Sequence, residues 1–202
     1  MPLIPTIMSG FMRAKAASQL MSGSKLPAVV SAISTATCQY VIAASTINSV
    51  NIAVGPGSGT QIGKIIGLST RGMSSMMLLR GATLGLIGRD AKKFFDAVSF
   101  GVVTSMNAVV MQGVIIGAGP GTGTGKIIGL LPTALLNIIY ANAIFRLIAG
   151  SQMRRIMSAV SFGICTHITT FGTVTITDIG AFTPPPVGPV PIPAAPGIGR
   201  FY

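Results

Sequence analysis

The sequence predicts an α+β fold, with tandem repeats of helix, Gly-rich β-hairpin and helix pair that end in an extended Pro-rich arm. Three observations predict it: a pattern that recurs after 62 residues, alternation of apolar and polar residues beside glycine runs, and a proline-rich end. Repetition at such a period is typical of a structural unit that buries its apolar face against copies of itself. Helices segregated from small antiparallel pairs define the α+β class.

The repeat rests on two matches at a single offset. Lys64–Leu68 recurs as Lys126–Leu130, and Ala97–Gly101 recurs as Ala159–Gly163, each 62 positions further on. The repeat divides the chain into an N-terminal arm at 1–26, unit 1 at 27–88, unit 2 at 89–150, a partial unit 3 at 151–183 and a Pro-rich C-terminal arm at 184–202.

Unit 1 shows how the elements are predicted. A helix is expected from Pro27 to Ser45, because proline suits the first turn and the many small residues permit close helix packing. Thr46–Val54 then alternates apolar and polar residues, as a half-buried strand does. A glycine run reverses the chain, and Gln61–Leu68 returns as the partner strand. Later elements follow the same logic: helices at 69–87, 90–106, 132–149 and 152–166, and strands at 108–116, 122–130 and 168–177.

Glycines are the first group of candidate interface residues. Every second residue from Gly117 to Gly125 is glycine, which leaves one face of a strand without side chains, so that another backbone or a helix could approach closely. A flexible loop is the alternative interpretation. The candidate interface glycines are Gly55, Gly57, Gly59, Gly119, Gly121, Gly123 and Gly125.

The proline-rich end is incompatible with a helix or a central strand. Residues 184–193 resemble polyproline, and the apolar residues after them favour an extended arm that lies on a neighbouring chain. A disordered tail is the alternative.

Composition limits the function classes. Half of the 202 residues are hydrophobic and only 8% are charged, against about 25% in an ordinary soluble domain. Much of the surface must therefore face lipid or other chains. The net charge is +11, but the basic residues form no long run and few aromatic residues accompany them, which disfavours nucleic acid as a partner.

The sequence contains no complete catalytic or metal-binding motif. Lys64 and Lys126 each follow a glycine but precede isoleucine, which breaks the phosphate-loop pattern in both copies. His167 is the single histidine, so no histidine-based metal cluster or nucleophile–base pair is expected. Cys38 and Cys165 are expected as small buried apolar residues. We therefore expect no enzyme and no cofactor. Lys64 and Lys126 are candidate contacts for an anionic partner, although solvation of a hairpin end is the favoured interpretation.

Membrane insertion is the main alternative to packing in an assembly. The uncharged run Ile127–Phe145 is long enough to span a bilayer. Its counterpart, residues 69–86, contains Arg71 and Arg80, each of which costs about 2.5–3.5 kcal/mol near a bilayer centre. Burial against neighbouring subunits is therefore favoured.

The pattern resembles minor virion structural proteins of contractile-tailed bacteriophages. The residues that carry the resemblance are Ala97–Met106, Ala108–Gly117 and Gly119–Gly129, with a weaker copy from Pro27 to Leu68. The resemblance implies a tail or baseplate subunit that is built into the virion in the host cytoplasm and has no catalytic activity. Its partners would be copies of itself and other structural proteins. The alternative is a membrane-embedded pore or holin-like protein with basic flanks.

Overall fold

The computed structural model describes residues 3–53, 58–116, 122–148, 150, 152–178 and 195–201. Within them, two helices and two strands alternate three times along the chain. The helices are α1 (Pro5–Ser18), α2 (Leu26–Ala44), α3 (Thr70–Thr83), α4 (Arg89–Ala108), α5 (Pro132–Phe145) and α6 (Met153–Phe171). The strands are β1 (Thr46–Ala53), β2 (Ser58–Ile66), β3 (Val110–Ile116), β4 (Thr122–Ile128), β5 (Thr173–Asp178) and β6 (Ala195–Phe201). The predicted α+β class is confirmed.

The six strands form one closed antiparallel barrel rather than the separate hairpins that we predicted. Each strand pairs with the next, and β6 completes the barrel by pairing with both β5 and β1. Closure satisfies the backbone groups that isolated hairpins would leave unpaired along their edges.

Strand β4 shows how the sequence forms the barrel wall. Its threonines and lysine point outward, whereas Gly123, Gly125 and Ile127 point inward. Even eight strands leave an interior that side chains just fill, so a six-stranded barrel has less room still. A Cβ on Gly125 would overlap Sδ of Met111, so the missing side chain makes space for this methionine. The buried residues that fill the interior include Ile47, Ile65, Met111, Ile127, Val174, Ile176 and Phe201.

The six helices form a closed ring in which each helix packs against the next and α1 packs against α6. Most of the buried helical residues belong to α2, α4 and α6. Each of these helices leads into a strand through one residue, so the barrel stands on one end of the ring. The helix-to-helix turns lie at the other end. We call that end, at residues 19–25, 84–88 and 146–148, the helical pole.

Two segments that we predicted as arms contain regular structure. Residues 1–26 include α1, because Met8, Met12 and Ala16 recur every four residues and bury one face of a helix. The Pro-rich arm at 184–202 contains β6, so an arm does not replace the third hairpin. The remainder of that prediction, at 184–194 and 202, lies outside the described residues.

The uncharged run Ile127–Phe145 is not one helix, as a membrane span would require. Strand β4 ends at Ile128, Gly129 adopts a φ of 83°, and α5 begins at Pro132. One described helix, Leu26–Ala44, is long and apolar enough to cross a membrane, but 44% of it is buried inside the protein. The predicted strand start at Ile168 was also wrong, because α6 continues to Phe171.

Candidate interaction surfaces

The barrel wall presents aliphatic side chains outward on four neighbouring strands. Val50 on β1 and Ile62 on β2 are directly opposed. Ile198 on β6 and Val114 on β3 lie diagonally beyond this pair, each offset by two residues along its strand. All four side chains are 47–55% exposed. We call these four residues the apolar band. On the two remaining strands, β4 and β5, exposed threonines occupy outward-facing positions: Thr122, Thr124 and Thr177.

Exposed cations accompany the apolar band on the wall. Lys64 and Lys126 point outward from β2 and β4. Arg200 is exposed on β6, where it is the cross-strand partner of Thr175. Arg200 was not among the predicted contacts, because we assigned this segment to an arm. The two ion pairs among the described residues both involve Asp96, which lies on α4.

Three of the seven predicted interface glycines lie within the described residues. Gly59 lies in β2, and Gly123 and Gly125 lie in β4 with their α-carbons toward the barrel interior. The bare face that we predicted for β4 is turned to the barrel interior, where the side chain of Met111 occupies the space beside Gly125. A contact of these glycines with another chain stays a prediction. The other candidates, Gly55, Gly57, Gly119 and Gly121, lie outside the described residues.

The helical pole is shaped by the same turn at the end of three helices. After α1, the backbone N–H of Met21 donates to the carbonyl of Ala16 over 3.0 Å. Leu86 donates to Gly81 after α3, and Ile148 donates to Ala143 after α5. This is the Schellman motif, whose penultimate position takes a left-handed conformation and is usually glycine. Only one of the three turns has glycine there, and the three positions are Leu20 (φ 55°), Gly85 (φ 72°) and Leu147 (φ 58°).

The two leucines in these turns are unfavourable in two ways. A left-handed conformation costs a residue with a Cβ about 1–2 kcal/mol. Their side chains are also 89% and 83% exposed, so they bury almost no apolar surface in return. Ile87 and Phe145 are 80% and 84% exposed at the same pole. These four side chains are the apolar tips of the helical pole.

A cavity of about 480 Å³ lies between the three turns. Met21, Leu86 and Ile148, one from each turn, contribute to its lining together with Phe94 and Ile156. Two polar side chains, Asp90 and Gln152, also contribute. The cavity is large enough for a small apolar group.

Cations surround the helical pole. Nine of the fourteen Lys and Arg residues lie in the last turn of α1 or α3, at the end of α5, or at or near the start of α2, α4 or α6. They are Lys15, Lys25, Arg80, Arg89, Lys92, Lys93, Arg146, Arg154 and Arg155. Two carboxylates, Asp90 and Asp96, accompany them. The charged groups of Lys15 and Arg80 lie against Phe162 and Gln39, farther from the turns. Seven cations and two carboxylates therefore remain at the pole, which is positive.

The two cysteines and the histidine are buried side chains that pack in the interior of the protein. Cys38 and Cys165 are buried, as predicted, and their thiols are free. Burial raises the pKa of each thiol to about 12. Burial also lowers the pKa of His167, whose Nε2 accepts a hydrogen bond from a backbone N–H. In the described part of the chain, no three His, Cys, Asp or Glu side chains converge as metal ligands.

No protein-family model, curated protein or solved structure matches this chain.

Proposed function

We propose that this chain is a non-enzymatic structural subunit of a multi-chain assembly. The apolar band is the observation that carries the proposal. Its four aliphatic side chains are about half exposed on the barrel wall. Complete burial of such a side chain contributes about 1.5–3 kcal/mol, so a neighbour that covers the band gains a substantial part of that at each position. A bacteriophage tail or baseplate is the assembly that the sequence resemblance implies.

We further infer that three copies of one unit form the subunit. The element order supports this inference, because a helix pair and a hairpin occur three times. Ser34 on α2, Ser99 on α4 and Ser161 on α6 are all buried at comparable places. The unit would then begin at α1, α3 and α5, and not at residues 27, 89 and 151.

Neighbouring chains would also meet the wall cations. Lys64 and Lys126 flank the apolar band and point away from the barrel. The whole sequence contains three acidic residues, so a second copy of the chain offers few carboxylates. Another structural protein with an acidic surface is therefore the better partner for these lysines.

The alternative, a membrane-embedded pore, has less support. The described part of the barrel interior is filled by buried side chains such as Ile47, Met111 and Ile176. A barrel of this size leaves no aqueous channel once side chains fill it. Basic flanks and the apolar helix Leu26–Ala44 remain in favour of contact with lipid.

The native mass of the purified chain tests the proposal. We expect a multiple of the 20.6 kDa chain mass, because the apolar band of one copy covers that of another. In the double variant Val50→Thr, Ile62→Thr, the mass should fall to that of the monomer. Threonine retains strand propensity and already occupies the corresponding outward positions on β4 and β5.

The control is the double variant Leu20→Gly, Leu147→Gly at the helical pole, whose native mass should match that of the wild type. A monomeric wild-type chain would contradict self-association through the band. So would an unchanged mass in the threonine variant.

A further inference from the structure

We propose that the helical pole binds an anionic lipid surface. The apolar tips Leu20, Ile87, Phe145 and Leu147 would enter the membrane interface, while the surrounding cations contact headgroup phosphates. This inference goes beyond the proposed function, because it concerns the end of the molecule opposite to the barrel.

The apolar tips are the first line of support. They are 80–89% exposed, so in water they contribute almost nothing to the folded state. Leu20 and Leu147 also occupy left-handed positions, although Gly85 shows that the same turn forms with glycine. Strain that persists at an exposed site is a reason to look for a function. Insertion into lipid gives these leucines the apolar surroundings that the folded chain does not.

The charge at the pole is the second line of support. Seven Lys and Arg accompany two Asp there, once Lys15, which lies over the ring of Phe162, and Arg80, which donates to Gln39, are set aside. Asp96 is already paired with Lys92 and Arg146, so that Asp90 is the remaining carboxylate. Clustered cations beside exposed apolar groups are typical of proteins that bind anionic lipid.

The arrangement of the two features favours lipid over a folded protein. The tips project from three separate turns around the apolar cavity of about 480 Å³. A fluid surface can meet three separate projections at once, and an acyl chain can enter the cavity between them. The cations begin within one helical turn of the tips, at the depth where headgroup phosphates lie when apolar side chains enter the interface.

Cosedimentation with vesicles tests the inference. We expect the full chain to bind vesicles of equimolar phosphatidylcholine and phosphatidylglycerol, but not vesicles of phosphatidylcholine alone. Binding should weaken as salt is added, because salt screens the cations. The variant Leu20→Gly, Leu147→Gly should lower the affinity by about tenfold or more, since two inserted side chains are lost. Its melting temperature should equal or exceed that of the wild type, because glycine relieves the turns.

Two further variants test the contribution of the cations at the pole and that of the apolar surface on the barrel. Lys25→Gln with Arg155→Gln should reduce the salt dependence and leave the apolar tips in place. Val50→Thr with Ile62→Thr removes apolar surface from the barrel and should bind vesicles as the wild type does. A monomeric chain that binds vesicles would contradict the proposed self-association through the apolar band and leave this inference intact.

Three results would overturn the inference. They are failure of the wild type to bind phosphatidylglycerol vesicles, equal binding to phosphatidylcholine alone, and unchanged affinity in the folded glycine variant.

Discussion

The backbone N–H of Ile4 donates a hydrogen bond to Nε2 of His167 over 3.0 Å. Ile4 precedes α1, and His167 lies one turn before the end of α6, so this bond joins the first helix to the last and helps to close the ring. It requires the neutral imidazole, because a protonated Nε2 cannot accept. Burial lowers the pKa of His167, which favours the neutral form.

Mild acid should therefore destabilise the fold through His167. The folded-state pKa lies below the unfolded value of about 6.5, so the stabilisation is complete above pH 6.5. It is lost as the pH falls from there through the lowered folded-state pKa. Urea unfolding at pH 7 and at pH 5 measures the loss.

The composition of the chain isolates the contribution of His167 to this pH dependence. The chain has one histidine and no glutamate, so no other side chain has an ordinary pKa between 5 and 7. In His167→Asn, the free energy of unfolding should be lower at pH 7 and should not change between pH 7 and pH 5. A pH dependence that survives in this variant would exclude His167 as its cause.

Asp96 connects three helices and provides a second prediction. Its carboxylate accepts a hydrogen bond from Ser74 on α3, and Lys92 and Arg146 approach it within 2.8 and 3.2 Å. Burial acts to raise the pKa of Asp96, but these hydrogen bonds and the two positive charges outweigh it, and the pKa is lowered. The stabilisation is therefore present above about pH 4 and is lost as the pH falls through the lowered pKa.

We expect Asp96→Asn to reduce the free energy of unfolding by about 1–2 kcal/mol at pH 7. The matched control is Asp90→Asn, since Asp90 is exposed in the first turn of the same helix and its loss should cost less than about 0.5 kcal/mol. Chemical denaturation of both variants at pH 7 compares them. Equal losses would show that the interactions of Asp96 with Ser74 and Arg146 contribute nothing to the free energy of unfolding.

Most elements could be predicted from local patterns, but barrel closure could not. The alternation of Gly123, Gly125 and Ile127 with polar residues identified the two faces of β4. Closure depends on β6, which follows a proline-rich segment and has two glycines among its seven residues. Such a composition predicts an irregular segment, and only pairing with β1 and β5 makes it a strand.

The helical pole was missed for a different reason. Leucine rarely adopts a positive φ, so nothing in the sequence around Leu20 or Leu147 indicates a left-handed turn. A signal was present in the repeat, because Gly85 and Leu147 are 62 positions apart. Helix α1 was missed because we defined residues 1–26 as an arm only from their place before the repeat, although Met8 and Met12 have helical spacing.

The inner face of the barrel should not tolerate a Cβ at Gly113. An added Cβ would lie 2.6 Å from the carbonyl oxygen of Thr124 and 2.8 Å from Cα of Gly125. Both atoms belong to the backbone of β4, which cannot move without breaking its pairs with β3 and β5. We expect Gly113→Ala to lower the free energy of unfolding by about 1–3 kcal/mol.

Gly10 provides the opposite case for comparison. It lies exposed within α1, and an added Cβ there would meet nothing within 4 Å. Gly10→Ala should raise the free energy of unfolding by about 0.5–1 kcal/mol, because alanine favours the helix. Denaturant titrations of the two variants should therefore move in opposite directions. If Gly113→Ala instead raised the free energy of unfolding, the space between β3 and β4 at this position would be wider than the distances for an added Cβ imply.

The last prediction concerns two residues near the ends of α2 and α4. Tyr40 on α2 performs for α3 the role that His167 performs for α1, since its Oη accepts from the backbone N–H of Ser69 over 3.1 Å. Ser105 has the comparable place on α4, but its buried Oγ has no partner among the described residues. An unsatisfied buried hydroxyl costs about 1–3 kcal/mol, whereas a satisfied one contributes about 1 kcal/mol. Ser105→Ala should therefore raise the melting temperature, and Tyr40→Phe should lower it. A loss of stability in Ser105→Ala would reveal a partner for this hydroxyl and would show that all three helix junctions are hydrogen-bonded.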